Sequence, residues 1–341
     1  MKEDKIPALN WGILGTGNIA KKFAKDLADA PNQKLVAVGS RTQDAASAFG
    51  AEFNVPARGR YGSYDAVLAD PTVQCVYISM PNHMHREWAI KCANAKKHIL
   101  CEKPIATNLR ETHDILEAVT RNDVFMMEAF MYRCHPQCFK LRELIESGII
   151  GEVRMIHGHF SYDMTIKHAN VYKNIRMSNP MAGGALMDVG CYPVSFARLA
   201  AGCEPIECKA VAQIGAVSRV DEWTAMSLKF PNGAVASLSC GMQVAVENTV
   251  SIFGSEGSIH FPTPWFGPAK EARFILKTKS GLSEEFKIDA DLPLYAIEAV
   301  HVAEHIDKRQ APAMTWADSV GNMATLDTLR KSIGLVFDGE K

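Results

Sequence analysis

The sequence predicts an α/β domain with a parallel sheet, followed by an α+β domain with a largely antiparallel open sheet. Short β-branched runs alternate with helical periods through residue 128, which implies right-handed crossovers between parallel strands. From about Glu152, strand-like runs follow one another with turn signals between them, which is typical of antiparallel pairing. The length of 341 residues fits two domains, because an average domain has about 150 residues.

The first half alternates strands and helices in a regular order. Its predicted strands are residues 10–15, 34–39, 73–80, 98–101 and 124–129. Its predicted helices are residues 18–30, 43–53, 85–95 and 109–121. Helices of this length between strands cover both faces of a parallel sheet. We therefore predict a first domain over residues 1–128.

The second half consists mainly of consecutive strands. They are predicted at residues 153–162, 207–216, 225–230, 234–243, 249–253, 258–261, 273–278 and 285–288. Helices are predicted at residues 142–147, 187–201, 295–308 and 316–337. We predict a second domain over residues 129–341, with helix 316–337 as a candidate to pack back on the first domain.

The composition narrows the class of protein. Thirty-seven Lys and Arg residues against 38 Asp and Glu residues leave a net charge of −1, which gives no reason to expect nucleic acid or an anionic membrane as partner. The chain has no run of about 18 apolar residues, so no helix is expected to span a bilayer. The first ten residues carry both charges and precede no signal-peptide core, so a cytoplasmic protein is expected.

The nine cysteines are scattered mostly through apolar segments. A chain of this length can build its core without disulfides, and an odd count fits free thiols. Cys134 and Cys138 flank His135, but no second group of ligands follows at a spacing typical of zinc sites. His83 and His85 would diverge by about 200° on a helix. We therefore predict no bound metal ion.

A glycine-rich turn follows the first predicted strand and opens the first predicted helix. Residues 15–20 (GTGNIA) fit the pattern G-x-G-x-x-G/A. In a Rossmann domain the first Gly forms a tight turn, the second lets the backbone approach a pyrophosphate, and the helix N-terminus supplies unpaired N–H groups. The alternative is a turn whose glycines only permit packing. The predicted cofactor-binding residues of this turn are Gly15, Thr16, Gly17, Asn18 and Ile19.

The end of the second predicted strand favours NADP over NAD. NAD-binding domains usually carry Asp or Glu there, which accepts hydrogen bonds from the ribose. This chain has Gly39, Ser40, Arg41 and Thr42 instead, so no carboxylate repels a 2′-phosphate. Ser40 and Thr42 can donate hydrogen bonds, and Arg41 can pair with the phosphate or stack on adenine. The alternative is a solvated Arg41 and use of both cofactors.

Three further motifs follow the glycine-rich turn. They are residues 81–85 (PNHMH), 101–104 (CEKP) and 181–192 (MAGGALMDVGCY). Together, in this order over nearly the whole chain, the four motifs resemble the glucose–fructose oxidoreductase / inositol dehydrogenase superfamily. Tyr192, where other members carry His, resembles the branch that includes D-xylose dehydrogenase and dihydrodiol dehydrogenase. The chain departs from the family pattern at Ile175, where Trp is usual, and at Ala185, where a third Gly is usual.

The resemblance implies roles for several residues. It implies that Lys103 lies beside the nicotinamide and the reacting carbon. It also implies that the peptide bond between Lys103 and Pro104 is cis, as it often is in the family. It implies hydride transfer between a nicotinamide and a sugar or cyclic polyol. It also implies that the sheet of the second domain pairs two chains, in a homodimer or a dimer of dimers. Further implied cofactor contacts are Pro81, Asn82, His85, Glu102 and Arg176.

The residue types also fit this chemistry. Asp188 and Tyr192 are spaced i, i+4, which puts them about 40° apart on one face of an α-helix. Oxidation of an alcohol by hydride loss requires a group that takes the hydroxyl proton, and the Lys103 ammonium would stabilise a Tyr192 phenolate. Asp188 would accept from substrate hydroxyls, and Gly183-Gly184 would let a ligand approach the backbone. The alternatives are that Asp188 caps its helix and Tyr192 packs in the core.

The polar stretch of residues 161–181 precedes the glycine-rich helix and is predicted to face the substrate, because loops on a rigid scaffold often carry specificity. It contains Asp163, Lys167, His168, Tyr172 and Arg176. Tyr172 and Arg176 are its predicted substrate contacts. The other predicted substrate contacts are Lys103, Asp188 and Tyr192.

The predicted function is that of an NADP-preferring oxidoreductase, with NAD as the alternative cofactor, acting on a sugar or cyclic polyol. Aldose C1 is the favoured carbon, with Tyr192 as general acid/base assisted by Lys103. The alternatives are a sugar oxidoreductase that does not release its cofactor, a non-catalytic dinucleotide-binding regulator and an NAD-dependent glycosidase.

Overall fold

The computed structural model describes residues 6–167, 169–245 and 247–340. The first five residues, on which part of the prediction of a cytoplasmic protein depends, and His168 lie outside these described residues. The chain folds into two compact units that interleave along the sequence, whereas the domain prediction divides it at residue 129. The first unit holds the residues up to Ala106, Arg110–His135 and Ala290–Ser319, and the second holds Thr107–Leu109, Pro136–Asp289 and the residues from Val320.

The regular elements are numbered in chain order. The strands are β1 (Leu9–Leu14), β2 (Gln33–Gly39), β3 (Arg60–Tyr61), β4 (Cys75–Ile78), β5 (His98–Glu102), β6 (Met126–Ala129), β7 (Val153–Ser161), β8 (Glu207–Ile214), β9 (Asp221–Lys229), β10 (Val235–Gly241), β11 (Val250–Gly254), β12 (Gly257–Phe261), β13 (Ala272–Thr278) and β14 (Ser283–Ile288). The helices are α1 (Asn18–Leu27), α2 (Gln43–Glu52), α3 (Tyr64–Ala69), α4 (His85–Asn94), α5 (Leu109–Asn122), α6 (Met131–Cys134), α7 (Pro136–Glu146), α8 (Cys191–Ala201), α9 (Leu294–Glu304) and α10 (Trp316–Ser332). A π-helical turn, Leu186–Gly190, leads directly into α8.

The first unit is built on a parallel sheet. Within the described residues its strand order is β3-β2-β1-β4-β5-β6, and each neighbouring pair runs parallel. The order reverses direction between β1 and β4, and open α/β sheets bind ligands at the carboxyl ends of strands beside such a point. Apart from Arg176, which belongs to the second unit, the predicted cofactor residues lie at or just after the carboxyl ends of β1, β2, β4 and β5.

Apolar side chains fix α1 against this sheet. Ala20, Phe23 and Leu27 have helical spacing and are buried, so one face of α1 is apolar. The ring of Phe23 stacks on Tyr77 of β4, with centroids 3.9 Å apart, and meets Trp11 of β1 edge-to-face at 5.4 Å. This packing sets the position at which α1 begins above the carboxyl end of β1.

The second unit is built on an open mixed sheet. In the part of the chain that the structure describes, its order is β14-β13-β12-β11-β7-β10-β9-β8, with β7 and β10 parallel and the other neighbours antiparallel. Buried and exposed residues alternate along β9, because one face of the sheet covers the core and the other is open. α8 contacts β7 on the covered face.

The predicted fold class is confirmed in both halves. β3 and α3 are absent from the prediction because elements of two and six residues are too short to show a period. The predicted helix 142–147 already begins at Pro136, the position in a first helical turn at which proline is tolerated. The predicted helices 295–308 and 316–337 end earlier, at Glu304 and Ser332.

The composition also led to predictions about the cysteines and about membrane-spanning helices. All nine cysteines lie among the described residues and are free thiols. Among those residues, no helix is both long enough and apolar enough to cross a bilayer.

Candidate active site

The glycine-rich turn connects β1 to α1. Gly15 has a φ of 105°, and its N–H donates to the carbonyl oxygen of Gly39 at 3.0 Å, so this glycine forms the tight turn. A Cβ at Gly15 would lie 2.9 Å from Ser79 Oγ, whereas a Cβ at Gly17 would meet no described protein atom within 4 Å. The open space at Gly17 lies at the start of α1, where backbone N–H groups and the helix dipole favour a pyrophosphate.

The end of β2 carries hydroxyl and guanidinium groups. Ser40 is buried, and its hydroxyl oxygen lies 3.3 Å from Thr16 Oγ1. Arg41 is exposed. Thr42 accepts a hydrogen bond from the N–H of Ala45 at 3.3 Å and so caps α2. Residues 39–42 contain no acidic side chain, and Arg41 is the one charged side chain among them.

Lys103 stands at the carboxyl end of β5. It is partly exposed, and the Lys103–Pro104 peptide bond is cis, in agreement with the expectation from the family resemblance. The preceding Glu102 is buried and accepts hydrogen bonds from the hydroxyl of Tyr77 and from the N–H of Lys103, the latter at 3.2 Å. The Glu102 side chain thus ties the turn after β5 to β4.

The segment after β4 contributes to the same edge. Pro81 and Asn82 are partly exposed there. His85, in contrast, is fully buried, and its ring nitrogens lie 2.8 Å from the carbonyl oxygens of Pro104 and Met80. Burial lowers the pKa of His85. Because both nitrogens face main-chain oxygens, the predicted direct contact of His85 with the cofactor is corrected: His85 links the turns after β4 and β5.

A second buried acid lies near Glu102. Glu298, on α9, is fully buried, and neither of its carboxyl oxygens has a hydrogen-bond partner among the described residues. Burial raises the pKa of Glu298 well above its usual range, and the neighbouring Glu102 adds to the effect. A raised pKa favours the neutral carboxylic acid, because burial without a hydrogen-bond partner penalises the charged form.

In the second unit, Asp188 lies on the π-helical turn and both of its oxygens are bonded. Tyr162 Oη donates to Oδ2 at 2.6 Å, and Arg176 Nε donates to Oδ1 at 2.9 Å. Burial and the Asp188 charge raise the pKa of Tyr162, so Tyr162 is a neutral donor. Asp188 is not the N-cap residue of the π-helical turn or of α8, because those positions are Ala185 and Gly190. The predicted angle of about 40° between Asp188 and Tyr192 assumes an α-helix and does not apply through a π turn, which is wider.

Gly183 and Gly184 precede this turn and are required by the protein itself. A Cβ at Gly183 would lie 2.3 Å from the carbonyl oxygen of Arg176, and one at Gly184 would lie 2.2 Å from Asp221 Oδ1. Gly184 also has a φ of 109°, a conformation that strains other residues. The prediction that these glycines leave room for a ligand is corrected, because described protein atoms fill the space.

Asp221 fixes the start of the π-helical turn and was missed by sequence reasoning. It is fully buried, and its Oδ2 accepts from the Leu186 N–H at 2.7 Å and from Thr224 Oγ1 at 2.8 Å. Burial raises the pKa of Asp221 to about 7, although both hydrogen bonds favour the carboxylate. Its contact with Leu186 joins residues 35 positions apart, so no local pattern reveals it.

Tyr192 lies in the first turn of α8 and is buried. Its ring meets Phe160 and Trp265 edge-to-face, with centroids 5.0 and 5.8 Å away. Trp265 is itself held, because its Nε1 donates to the carbonyl oxygen of His159 at 2.8 Å. The ring of Tyr192 is thus packed in the core, as the alternative proposed, and its role as acid/base stays a prediction.

The predicted substrate stretch is a series of short turns. Asp163 accepts from the N–H and the hydroxyl of Thr165, at 2.9 and 2.6 Å, and so caps its own turn. Lys167 and Tyr172 are exposed. Tyr162, at the end of the predicted strand 153–162, was missed although it lies in this stretch. Its bond to Asp188 spans 26 positions, and only a polar side chain at a strand end hints at it.

Comparisons with known proteins are consistent with both units. Residues 9–130 match the family described as "Oxidoreductase family, NAD-binding Rossmann fold", and residues 139–260 match the "GFO/IDH/MocA C-terminal domain". An uncharacterised oxidoreductase of Rhizobium meliloti is 35% identical over 95% of this chain and 96% of its own length. Trans-1,2-dihydrobenzene-1,2-diol dehydrogenase of Mus musculus is 31% identical over 98% of this chain and 99% of its own length.

Two solved structures share the fold. A 3-ketoreductase from Actinomadura kijaniata in complex with NADP and TDP-benzene has a TM-score of 0.85 and 25% identity, and the match covers 96% of this chain and 98% of that one. An aldose-aldose oxidoreductase from Caulobacter crescentus complexed with glycerol has a TM-score of 0.86 and 23% identity over 95% and 97% of the two chains.

Proposed function

The chain belongs to the GFO/IDH/MocA family of oxidoreductases, and from that premise we propose that it transfers a hydride between NADP and a hydroxyl-bearing ring carbon of a sugar or cyclic polyol. The observation that carries the proposal is the hydrogen bonding of Asp188, which lies four residues before Tyr192. Its carboxylate accepts from the neutral phenol of Tyr162 and from the guanidinium of Arg176. A carboxylate with two fixed donors is suited to orient substrate hydroxyls.

The cofactor is assigned to the carboxyl edge of the first unit's sheet. The open space at Gly17 accommodates a pyrophosphate, and Ser40 and Arg41 suit the 2′-phosphate of NADP. Further proposed contacts are Thr16, Asn18, Ile19, Pro81, Asn82 and Glu102. Arg176 is proposed to contact either cofactor or sugar. The bound nicotinamide supplies or accepts the hydride.

The proton of the reacting hydroxyl is assigned to Tyr192. In the oxidative direction the Tyr192 phenolate takes this proton as the hydride leaves the carbon, and in the reductive direction its phenol returns it. The Lys103 ammonium stabilises the phenolate and donates to the reacting oxygen. Asp188 accepts from a neighbouring hydroxyl of the substrate, and Tyr172 contributes to the outer part of the substrate site.

The favoured reacting carbon is C1 of an aldose. A second candidate is a ring carbon of a trans-diol, which is favoured by the 31% identity to a dehydrogenase named for that substrate. Both candidates present adjacent ring hydroxyls, so one hydroxyl can react while Asp188 binds the next. They differ in product, because the aldose gives a lactone and the diol gives a hydroxyketone.

A substrate panel with both cofactors tests the proposal. Aldoses and a cyclic trans-diol are mixed with NADP or NAD, and reduced nicotinamide is followed by absorbance. We expect turnover with NADP, and a fall in kcat of about 10²- to 10⁴-fold in Tyr192→Phe. If Lys103 and Tyr192 serve one step, Lys103→Ala and the double variant will show non-additive losses. Unchanged rates in both single variants would contradict the assigned roles.

The same panel separates the alternative functions. A regulator would bind NADP tightly without turning over any sugar. An enzyme that retains its cofactor would oxidise one sugar only while it reduces another. An NAD-dependent glycosidase would cleave a glycoside without net formation of reduced nicotinamide.

A homodimer through the open sheet face is part of the proposal. That face exposes apolar side chains on neighbouring strands, among them Met155, Trp223 and Val235, and such patches commonly mark protein contacts. Trp223→Lys should shift the protein toward monomers in sedimentation, whereas Val336→Lys, at an exposed residue outside the sheet, should not. Monomeric wild-type protein at micromolar concentration would contradict the dimer.

A further inference from the structure

The last turn of α9 carries a group of possible metal ligands in the first unit. His301, Glu304 and His305 each offer one ligand atom, and these atoms lie within 4.8 Å of one another. Their spacing of i, i+3 and i+4 puts them on one face of the helix. Helical zinc sites place two histidines four residues apart for the same reason. This pattern differs from the cysteine and histidine pairs considered from the sequence above.

The imidazole of His305 is prepared as a ligand by a main-chain contact. Its Nδ1 lies 2.8 Å from the carbonyl oxygen of His301. Because a carbonyl oxygen can only accept, the neutral ring carries its hydrogen on Nδ1, which makes Nε2 the nitrogen that can coordinate a metal ion. Metal-binding histidines typically use one ring nitrogen in this way, which fixes the tautomer and the orientation of the ring.

The imidazole of His301 lies beside it. The two ring centroids are 4.4 Å apart, and His301 is buried while His305 is half-buried and Glu304 exposed. The Ala313 N–H donates to His301 Nε2 at 3.4 Å, a distance beyond the usual range for a good hydrogen bond. A metal ion could replace that weak bond.

The location of His301, Glu304 and His305 favours a cation. It also separates them from the carboxyl edge of the sheet, to which the cofactor is assigned. The three residues end a helix, where the carbonyl groups and the helix dipole attract positive charge. Four residues later, the carbonyl oxygen of Arg309 accepts from the N–H of Met126, the first residue of β6. The chain after the group therefore runs along the amino ends of the parallel strands, whereas Gly17 and Lys103 lie at their carboxyl ends.

We propose that His301, Glu304 and His305 form a binding site for a divalent transition metal such as Zn²⁺ or Ni²⁺, which fastens the last turn of α9. Two imidazoles and one carboxylate suit these ions and discriminate against Mg²⁺ and Ca²⁺, which prefer oxygen ligands. Three protein ligands leave a position for water. The proposed site is structural and is independent of the hydride-transfer proposal.

Metal titration of the full chain tests this site without any activity measurement. Chelator-treated protein is titrated with Zn²⁺ and Ni²⁺ in competition with a chromophoric chelator, and thermal unfolding is recorded in parallel. We expect one equivalent to bind, and Tm to rise with metal concentration because the ion binds the folded state. Mg²⁺ at the same concentration should leave Tm unchanged.

Two variants keep the test decisive. His305→Ala removes a half-exposed ligand and should weaken binding about tenfold or more without loss of folding, and Glu304→Gln should weaken it less. His113→Ala, at an exposed histidine on α5, is the matched control and should bind as the wild type does. Cys203 is the one cysteine that is not fully buried and is the competing thiol ligand. Equal affinity in His305→Ala and wild type, or stoichiometric binding that a Cys203→Ser variant abolishes, would overturn the proposal.

Discussion

Each unit has glycines beside its candidate site residues, but the space next to these glycines is used differently. In the first unit, the space beside Gly17 holds no described protein atom. In the second, the space beside Gly183 and Gly184 is filled by the Arg176 carbonyl oxygen and the Asp221 carboxylate. A glycine motif therefore indicates close approach of some group, but only the fold decides whether that group is a ligand or the protein itself.

The two units also hold their site residues by different means. In the first, main-chain groups hold several of them, as the Gly15 N–H bonds to Gly39 and His85 bridges two carbonyl oxygens, beside the side-chain bond from Tyr77 to Glu102. In the second, side chains far apart in sequence do so, as Tyr162 bonds to Asp188. Substitutions should therefore affect ligand binding in the first unit and folding or substrate orientation in the second.

Gly184→Ala should give the largest effect. The new Cβ would lie 2.2 Å from Asp221 Oδ1, and the residue would have a φ of 109°. Steric overlap and backbone strain together should lower the free energy of unfolding by about 3–5 kcal/mol. Gly148→Ala is the control, because Gly148 has a φ of 73° with no described atom near its Cβ position. It should lose about 1 kcal/mol. Equal losses in chemical denaturation would show that the Asp221 contact is unimportant.

Asp221→Asn should change how stability depends on pH. The folded-state pKa of Asp221 is raised to about 7 from 3.8, so wild-type stability is lost as pH rises through this window, by up to about 4 kcal/mol. Asparagine cannot ionise, and its carbonyl oxygen can still accept from Leu186 and Thr224. The variant should match wild type near pH 4 and exceed it at pH 8.

The measurement is the difference between the two proteins in denaturant unfolding across this pH range. Titrating groups that Asp221 does not influence are common to both proteins and cancel. Asp221 does influence the neighbouring Cys240, but burial already raises the pKa of that thiol well above its usual range, away from the pH values compared. Arg330 favours the carboxylate but is outweighed by burial. A difference that does not vary with pH would mean that Asp221 is ionised throughout.

These cases show why the fold was more predictable than the second half of the site. The strand–turn–helix at Gly15 is local, and alternation of strands and helices fixes the sheet edge at which the motifs after β2, β4 and β5 meet. His85 was misassigned because sequence position near the edge does not reveal burial. The motif correctly predicted that His85 lies near this edge of the sheet, but the predicted direct contact with the cofactor was wrong.

The second unit required information that no spacing contains. The motif predicted Asp188 and Tyr192 as site residues. It did not predict the angle between their side chains, because a π turn replaces the expected α-helix. Tyr162, just after β7, and Asp221, at the start of β9, contact this segment from 26 and 35 positions away. Such pairs depend on how a mixed sheet is ordered, and the parallel pairing of β7 with β10 has no signal in the sequence.

Gly17→Ala should separate ligand binding from folding. Because the added methyl group meets no described protein atom, the free energy of unfolding should stay within about 0.5 kcal/mol of wild type. NADP affinity, measured by fluorescence titration, should fall about tenfold or more, which corresponds to about 1.4 kcal/mol. Unchanged affinity would mean that the pyrophosphate does not lie at this turn.

Tyr162→Phe should give the smallest effect and the sharpest contrast between the units. The variant removes one donor from Asp188, and Tyr61→Phe removes a comparable donor from Asp70 in the first unit, at 3.0 Å. Each should cost about 1 kcal/mol of stability. If Asp188 orients a substrate hydroxyl, Tyr162→Phe should also raise KM about three- to tenfold with little change in kcat, whereas Tyr61→Phe should change neither. Equal kinetics in the two variants would reduce the Tyr162–Asp188 bond to a packing contact and leave Arg176 to orient the carboxylate alone.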